Sequence, residues 1–155
     1  MILKMWKLFD WLRNGLSGVM IMPYEIKRGR RFFYLIKSRH SGAVTFPSGK
    51  VNLWETYENA ARRELMEETG ISNFQMNEVP IDHVFRYRKI LFHPKSTQRV
   101  FLAKIINGGD RKNDDMEKNI LWVKKFGERG VVDNLSFEEL RETFLRIIKY
   151  LDKNE

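Results

Sequence analysis

Residues 49–71 read GKVNLWETYENAARRELMEETGI, and the rest of the chain is best read outward from them. Thr56 is a favourable residue for capping a helix start, and Gly70 sits where a helix stops. The spacing therefore predicts a helix from about Tyr57 to Thr69. On it, Glu64, Glu67 and Glu68 stand at i, i+3 and i+4 and share one face. Three carboxylates this close repel one another unless a cation lies among them. A hard divalent ion with oxygen ligands, Mg2+ or Mn2+, would suit. The alternative is a solvated acidic face paired with Arg62, Arg63 or a distant lysine. The three glutamates alone favour that alternative, because charge runs on helices are common.

The wider frame reverses the balance. Gly49 is followed after five residues by Glu55, then after seven by Arg63-Glu64-Leu65, Met66, Glu67-Glu68, Thr69, Gly70 and Ile71. This resembles the Nudix box, Gx5Ex7REUxEExGU with U aliphatic, at every specified position. A chance match in a chain of this size is on the order of one in a million. The resemblance implies a Nudix fold, an α/β/α sandwich with a mixed sheet. It also implies metal-dependent hydrolysis of a nucleoside diphosphate linked to another moiety.

By the same resemblance Glu64, Glu67 and Glu68 are metal ligands, with Ser48 or Gly49 adding a backbone carbonyl. Glu64 and Glu68 are both candidates for the general base. Glu117 matches a position where relatives carry a further acidic ligand or base, and an exposed loop glutamate is the other reading. Glu55 and Arg63 would form a structural pair bracing loop against helix, and Gly70 would turn the chain out. Gly49 would allow close backbone approach to a metal or phosphate. Ala60 and Ala61 are small enough to let the helix sit near the sheet, and Ile71 returns to the core.

The stretches FYLIKSRHSGAVTFPSGKV, FRYRK, KSTQRVFLAK and EKNILWV are similar to the diadenosine tetraphosphate hydrolases of the Nudix group. Those enzymes usually carry Lys or Gly where this chain has Ser48, and Gly where it has Trp54. The implied reaction is diadenosine tetraphosphate to ATP and AMP. The alternatives are a nucleoside triphosphate or ADP-ribose pyrophosphatase, an RNA 5'-triphosphate pyrophosphohydrolase, and a binding module without chemistry.

Substrate contacts are read from chemistry. Val84 to Leu91 alternates, placing Phe85, Tyr87 and Lys89 on one face and Arg86 and Arg88 on the other. Tyr87 or Phe85 could stack on a base. Arg86, Arg88, Lys89, Lys95 and Arg99 could meet phosphate. Strand aromatics in a core and solvated strand cations are the competing readings. His40, His83 and His93 lack metal-ligand spacing, and Ser41, Ser48 and Ser96 lack a nucleophile-elbow context.

The 155 residues are enough for one domain, with 43% hydrophobic and 31% charged residues, a folded composition. Twenty-eight Lys and Arg against twenty Asp and Glu give a net charge of +8, which favours anionic partners: nucleotide substrate first, RNA as another. Without cysteine there are no disulfides and no thiolate chemistry.

Residues 1–14 form an expected N-terminal amphipathic helix ahead of a hydrolase domain at 15–155. Ile2, Met5, Trp6, Phe9 and Leu12 lie at helical spacing, with Lys4, Lys7 and Arg13 elsewhere. Packing on the domain or in a homodimer is preferred to membrane contact. Lys4, Lys7, Asp10 and Arg13 break any signal-like apolar run, so a cytoplasmic protein is expected.

Strands are expected at Gly18–Met22 and Arg31–Lys37, joined by a basic turn around Lys27–Arg30, and at Ala43–Phe46. Others are expected at Val84–Phe92, Arg99–Ile106 and Ile120–Val123, with a polar loop at Asn107–Asn119. Ser136 with Glu139 reads as a capping box opening a helix to about Leu151. That helix would bury Phe137, Leu140, Phe144, Ile147, Ile148 and Leu151.

Overall fold

A computed structural model describes residues 16–85, 96–107 and 119–155. The expected N-terminal helix, most of the loop at 107–119, and the second half of the strand expected at 84–92 lie outside them.

A seven-stranded mixed sheet is built around β1 (Leu16–Lys27). Strand β1 runs parallel to β6 (Ser96–Ile105) from Leu16↔Ser96 to Tyr24↔Lys104. Its other edge is shared by two antiparallel partners. Near its start it pairs with β4 (Ser48–Lys50), and near its end with β2 (Arg30–Ser38). Strand β2 also carries β3 (Val44–Thr45) and β7 (Ile120–Gly127), while β5 (Phe74–Phe85) borders β6.

Both faces of the sheet are covered, which is why β1 is apolar on both sides rather than alternating with polar residues. Val19 and Ile21 face helix α1 (Tyr57–Thr69), packing with Ala60, Ala61, Leu65 and Ile71. Met20, Met22 and Tyr24 face the opposite layer, α2 (Glu128–Asn134) and α3 (Glu138–Asn154). There Phe33 meets Phe144 edge-on at 5.0 Å, and Leu140, Ile147 and Leu151 complete the packing. This is the expected α/β/α sandwich. Ala60 and Ala61 are fully buried, so two short side chains set how near α1 lies to the sheet. No helix among the described residues is long and apolar enough to cross a membrane.

Several local expectations are corrected. The Ser136 hydroxyl does not cap α3. It accepts from the Val44 amide at 2.7 Å, the Ser136 amide donates to the Val44 carbonyl, and α3 starts without a side-chain cap. Phe137, expected to be buried, is 51% exposed because it precedes the helix and escapes its apolar face. Strand β5 begins at Phe74, ten residues before the expected start. Its register shifts between Glu78 and Asp82, around Pro80, and that irregularity breaks the alternation. Strand β4 and helix α2 were not expected at all.

Candidate functional site

The site lies where β4 leaves the sheet and the chain enters α1. Thr56 accepts from the Asn59 amide at 3.1 Å, fixing the helix start, and Gly70 closes it in the left-handed conformation at φ 71°. Between these caps the i, i+4 spacing carries Glu64 and Glu68 toward β4, and each is only 8% exposed.

Gly49 is the floor of the site. A Cβ placed on it would lie 2.1 Å from Oε1 of Glu64, so only glycine allows the carboxylate to rest against this backbone. The group making the close approach is thus the protein's own Glu64. Ser48 donates its amide to Oε2 of Glu68 at 3.3 Å. The two backbone positions expected at the site, Ser48 and Gly49, each lie against one buried glutamate. Gly18 supports them from β1, where an added Cβ would strike the Gly49 carbonyl at 2.6 Å.

Arg63 ties this arrangement together. Its guanidinium donates to both oxygens of Glu55, at 2.8 and 3.0 Å, and to the Lys50 carbonyl at 3.0 Å. It also donates to Glu64 at 2.7 Å and to Glu67 at 3.3 Å. Glu55 in turn accepts from the Asn52 amide at 3.0 Å. The hydrogen bonds it donates to Glu55, and after them the one to Glu64, raise the guanidinium above its ordinary value against the opposing effect of burial. A bidentate fork of this kind fixes direction as well as charge.

The three helical glutamates are not equivalent. Glu64 and Glu68 are buried against the β4 loop, whereas Glu67 has a side chain 45% exposed and reaches Arg63. Among the described residues no three acidic or histidine side chains already gather at metal distance. The donor set is nonetheless all oxygen: two buried carboxylates beside backbone carbonyls. It suits an ion such as Mg2+, which typically takes one or two carboxylates and keeps several waters.

The other site candidates divide. Arg99, expected to meet phosphate, lies over the Tyr57 ring at 3.9 Å and 3.7 Å from Glu78, bracing β6 against the start of α1. Glu117, Arg86, Tyr87, Arg88, Lys89 and Lys95 lie outside the described residues, as does the side chain of Phe85. Tyr57 was missed by sequence reasoning. Its place one residue after the helix cap was visible, but its partner on β6 was not.

Set against known proteins, residues 17–144 match the family model described as NUDIX domain. No curated protein matches the chain by sequence. Among solved structures, the C. elegans Ap4A hydrolase binary complex is similar with a TM-score of 0.71 at 17% identity, over 89% of this chain and 98% of that one. The NUDIX domain of Shewanella oneidensis NrtR, complexed with ADP ribose, gives 0.70 at 13%, over 88% of each chain. The E. coli dihydroneopterin triphosphate pyrophosphohydrolase gives 0.67 at 14%, over 84% and 92%. At these identities the likeness is one of fold.

Proposed function

The chain belongs to the Nudix family of hydrolases, which act on nucleotide substrates with divalent metal ions, and on that premise we propose that it cleaves dinucleoside polyphosphates, diadenosine tetraphosphate giving ATP and AMP. The observation that carries the catalytic part is the pair of buried glutamates packed on β4: Glu64 rests against the Gly49 backbone and is held by Arg63, and Glu68 accepts from the Ser48 amide.

In this reading Glu64 and Glu68 hold Mg2+ or Mn2+ together with the Ser48 or Gly49 carbonyl, and Glu67 completes the acidic set. The ion, when bound, neutralises phosphate oxygens and makes water a better nucleophile. Glu64 or Glu68 takes the water proton as the oxygen bonds to phosphorus and a bridging P–O bond breaks. Glu55 and Arg63 act through Glu64. They keep Glu64 from swinging out of the loop.

The substrate assignment is supported by the segments flanking the box and by the net charge of +8. A long polyphosphate carries more charge than bound cations neutralise, and surplus Arg and Lys favour it over a nucleotide sugar. Tyr87 would stack on one base while the far nucleotide departs.

A matched panel tests this: diadenosine tetraphosphate, ADP-ribose, single nucleoside triphosphates and triphosphate-ended RNA, with Mg2+ or Mn2+, products separated by ion exchange. Faster release of ATP and AMP from the dinucleotide is expected. A preference for any other member refutes the substrate assignment and leaves the family membership intact.

A further inference from the structure

We propose that the basic hairpin between β1 and β2, at the far end of the sheet from the glutamates, is a docking site for single-stranded nucleic acid. The proposal is independent of the hydrolytic substrate. Gly49 lies opposite Val19 on β1, and Lys27 is eight residues further along that strand. At strand rise this separates the two places by roughly 26 Å.

The turn itself is Arg28-Gly29, with φ of 51° and 73°. A hairpin turn with two positive φ angles ordinarily recruits Asn-Gly or Asp-Gly. An arginine there accepts a costlier backbone conformation and puts a guanidinium at the tip. Lys27, Arg28, Arg30 and Lys125 then line a cavity of about 610 Å³ whose remaining wall is Phe32. All four cationic residues are exposed.

Among the described residues a single carboxylate answers them. Glu25 is 6% exposed, accepts from Lys125, and lies 3.4 Å from Lys27, so it pins two ammonium groups in place. Arg28 and Arg30 form no ion pair with another described residue. Among the described residues, four cations against one buried anion leave a concave surface with a surplus of three positive charges.

That combination of several cations around a partly exposed ring is what a polynucleotide strand requires. Its phosphates meet the cations, and one base lies on Phe32. An anionic membrane surface would meet the same cations but would make no use of a ring recessed among them, and Ile26, exposed beside the tip, is not part of the cavity lining.

The test is fluorescence anisotropy of labelled single-stranded RNA and DNA with the intact chain as salt is raised, alongside Arg28→Asn/Arg30→Gln and Phe32→Leu. Asn tolerates the positive φ at position 28, so the turn survives, and retained nucleotide hydrolysis with an unchanged Tm confirms the fold. Losing two phosphate contacts should lower the slope of log affinity against log salt by about 1.4 and weaken binding at least tenfold. Phe32→Leu should weaken binding roughly fivefold or more with the salt slope unchanged. The RNA and DNA arms show which strand is preferred. Absence of oligonucleotide binding, undiminished affinity in either variant, or capture of anionic phospholipid vesicles in place of oligonucleotide overturns the proposal.

Discussion

Arg63 grips Glu55 with two hydrogen bonds, at 2.8 and 3.0 Å, and uses another edge of the same plane to hold Glu64 at 2.7 Å. Lysine can supply the charge but not the fork. If Glu64 holds the metal as proposed, Arg63→Lys should lower kcat/KM by about 10–100-fold, the usual effect of losing a group that orients a ligand residue. Steady-state kinetics with parallel thermal melts check this, and wild-type kinetics in the variant would remove Arg63 from the positioning role.

Gly49 and Glu64 should fail as a pair and be rescued as a pair. Gly49→Ala puts a methyl group into the Glu64 carboxylate and should cost about 1–3 kcal/mol, as overpacking does. In Gly49→Ala/Glu64→Ala the obstruction is gone, so urea denaturation should show most of that stability restored without activity. Purely additive losses would mean the two residues are not in contact.

Glu68→Gln should lower kcat by about 10²–10⁴-fold, the usual range for acid–base groups, and Glu67→Gln should also reduce turnover severely. Both should keep the wild-type fold by circular dichroism, and excess chelator should abolish activity in the unmodified chain. Full turnover in chelator, or in both variants, excludes the proposed chemistry.

How much of this was visible in the sequence depends on how local each signal is. Helix α1 was legible to the residue, since Thr56, Gly70 and the apolar spacing all act within the segment. The glutamate positions were equally legible, but their inequality was not. Which carboxylates are buried depends on Ser48, Gly49 and Gly18, and the direction of the Arg63 plane that meets Glu64 and Glu67 depends on Glu55, eight residues upstream. Strand β4 contains Ser48, Gly49 and Lys50 and has no apolar pattern; it is a strand only because β1 offers an edge. Helix α2 buries only Val131 and contains Gly130, leaving no periodicity to read. Ser136 shows the opposite failure: a valid capping pattern was overridden when a distant backbone amide took the hydroxyl.

That competition gives its own test. Ser136→Ala should cost about 1 kcal/mol through the unsatisfied Val44 amide. A double-mutant cycle with Glu139→Ala should show no coupling, whereas a working capping box would couple the two measurably. Urea denaturation of the four proteins distinguishes them.

His83 sets a pH limit on the fold. It is 5% exposed, with Nδ1 2.8 Å from the Thr143 hydroxyl. Burial pushes its imidazole below the ordinary value, partly opposed by the Glu139 charge. As pH falls, the unfolded chain takes up the proton before the folded one. The stability from neutral His83 is therefore complete above about pH 6.5 and lost as pH drops through the lower folded value. Tm should fall across that range, and His83→Gln should flatten the fall. An identical pH profile in the variant would assign the loss to other groups.

The parallel pairing of β1 with β6 also fixes an order of assembly. One edge of β1 can be satisfied early, by β2 and β4, but its other edge waits for residues that follow about eighty positions later. Until they emerge from the ribosome, the loop that positions Glu64 rests on a strand with an open, apolar flank. Such edges invite pairing with other chains. Chains stopped before residue 96 should therefore aggregate more than chains stopped just after 105, although both still lack the helices that cover the other face of the sheet. Equal aggregation of the two would show that the open edge of β1 is not what drives it.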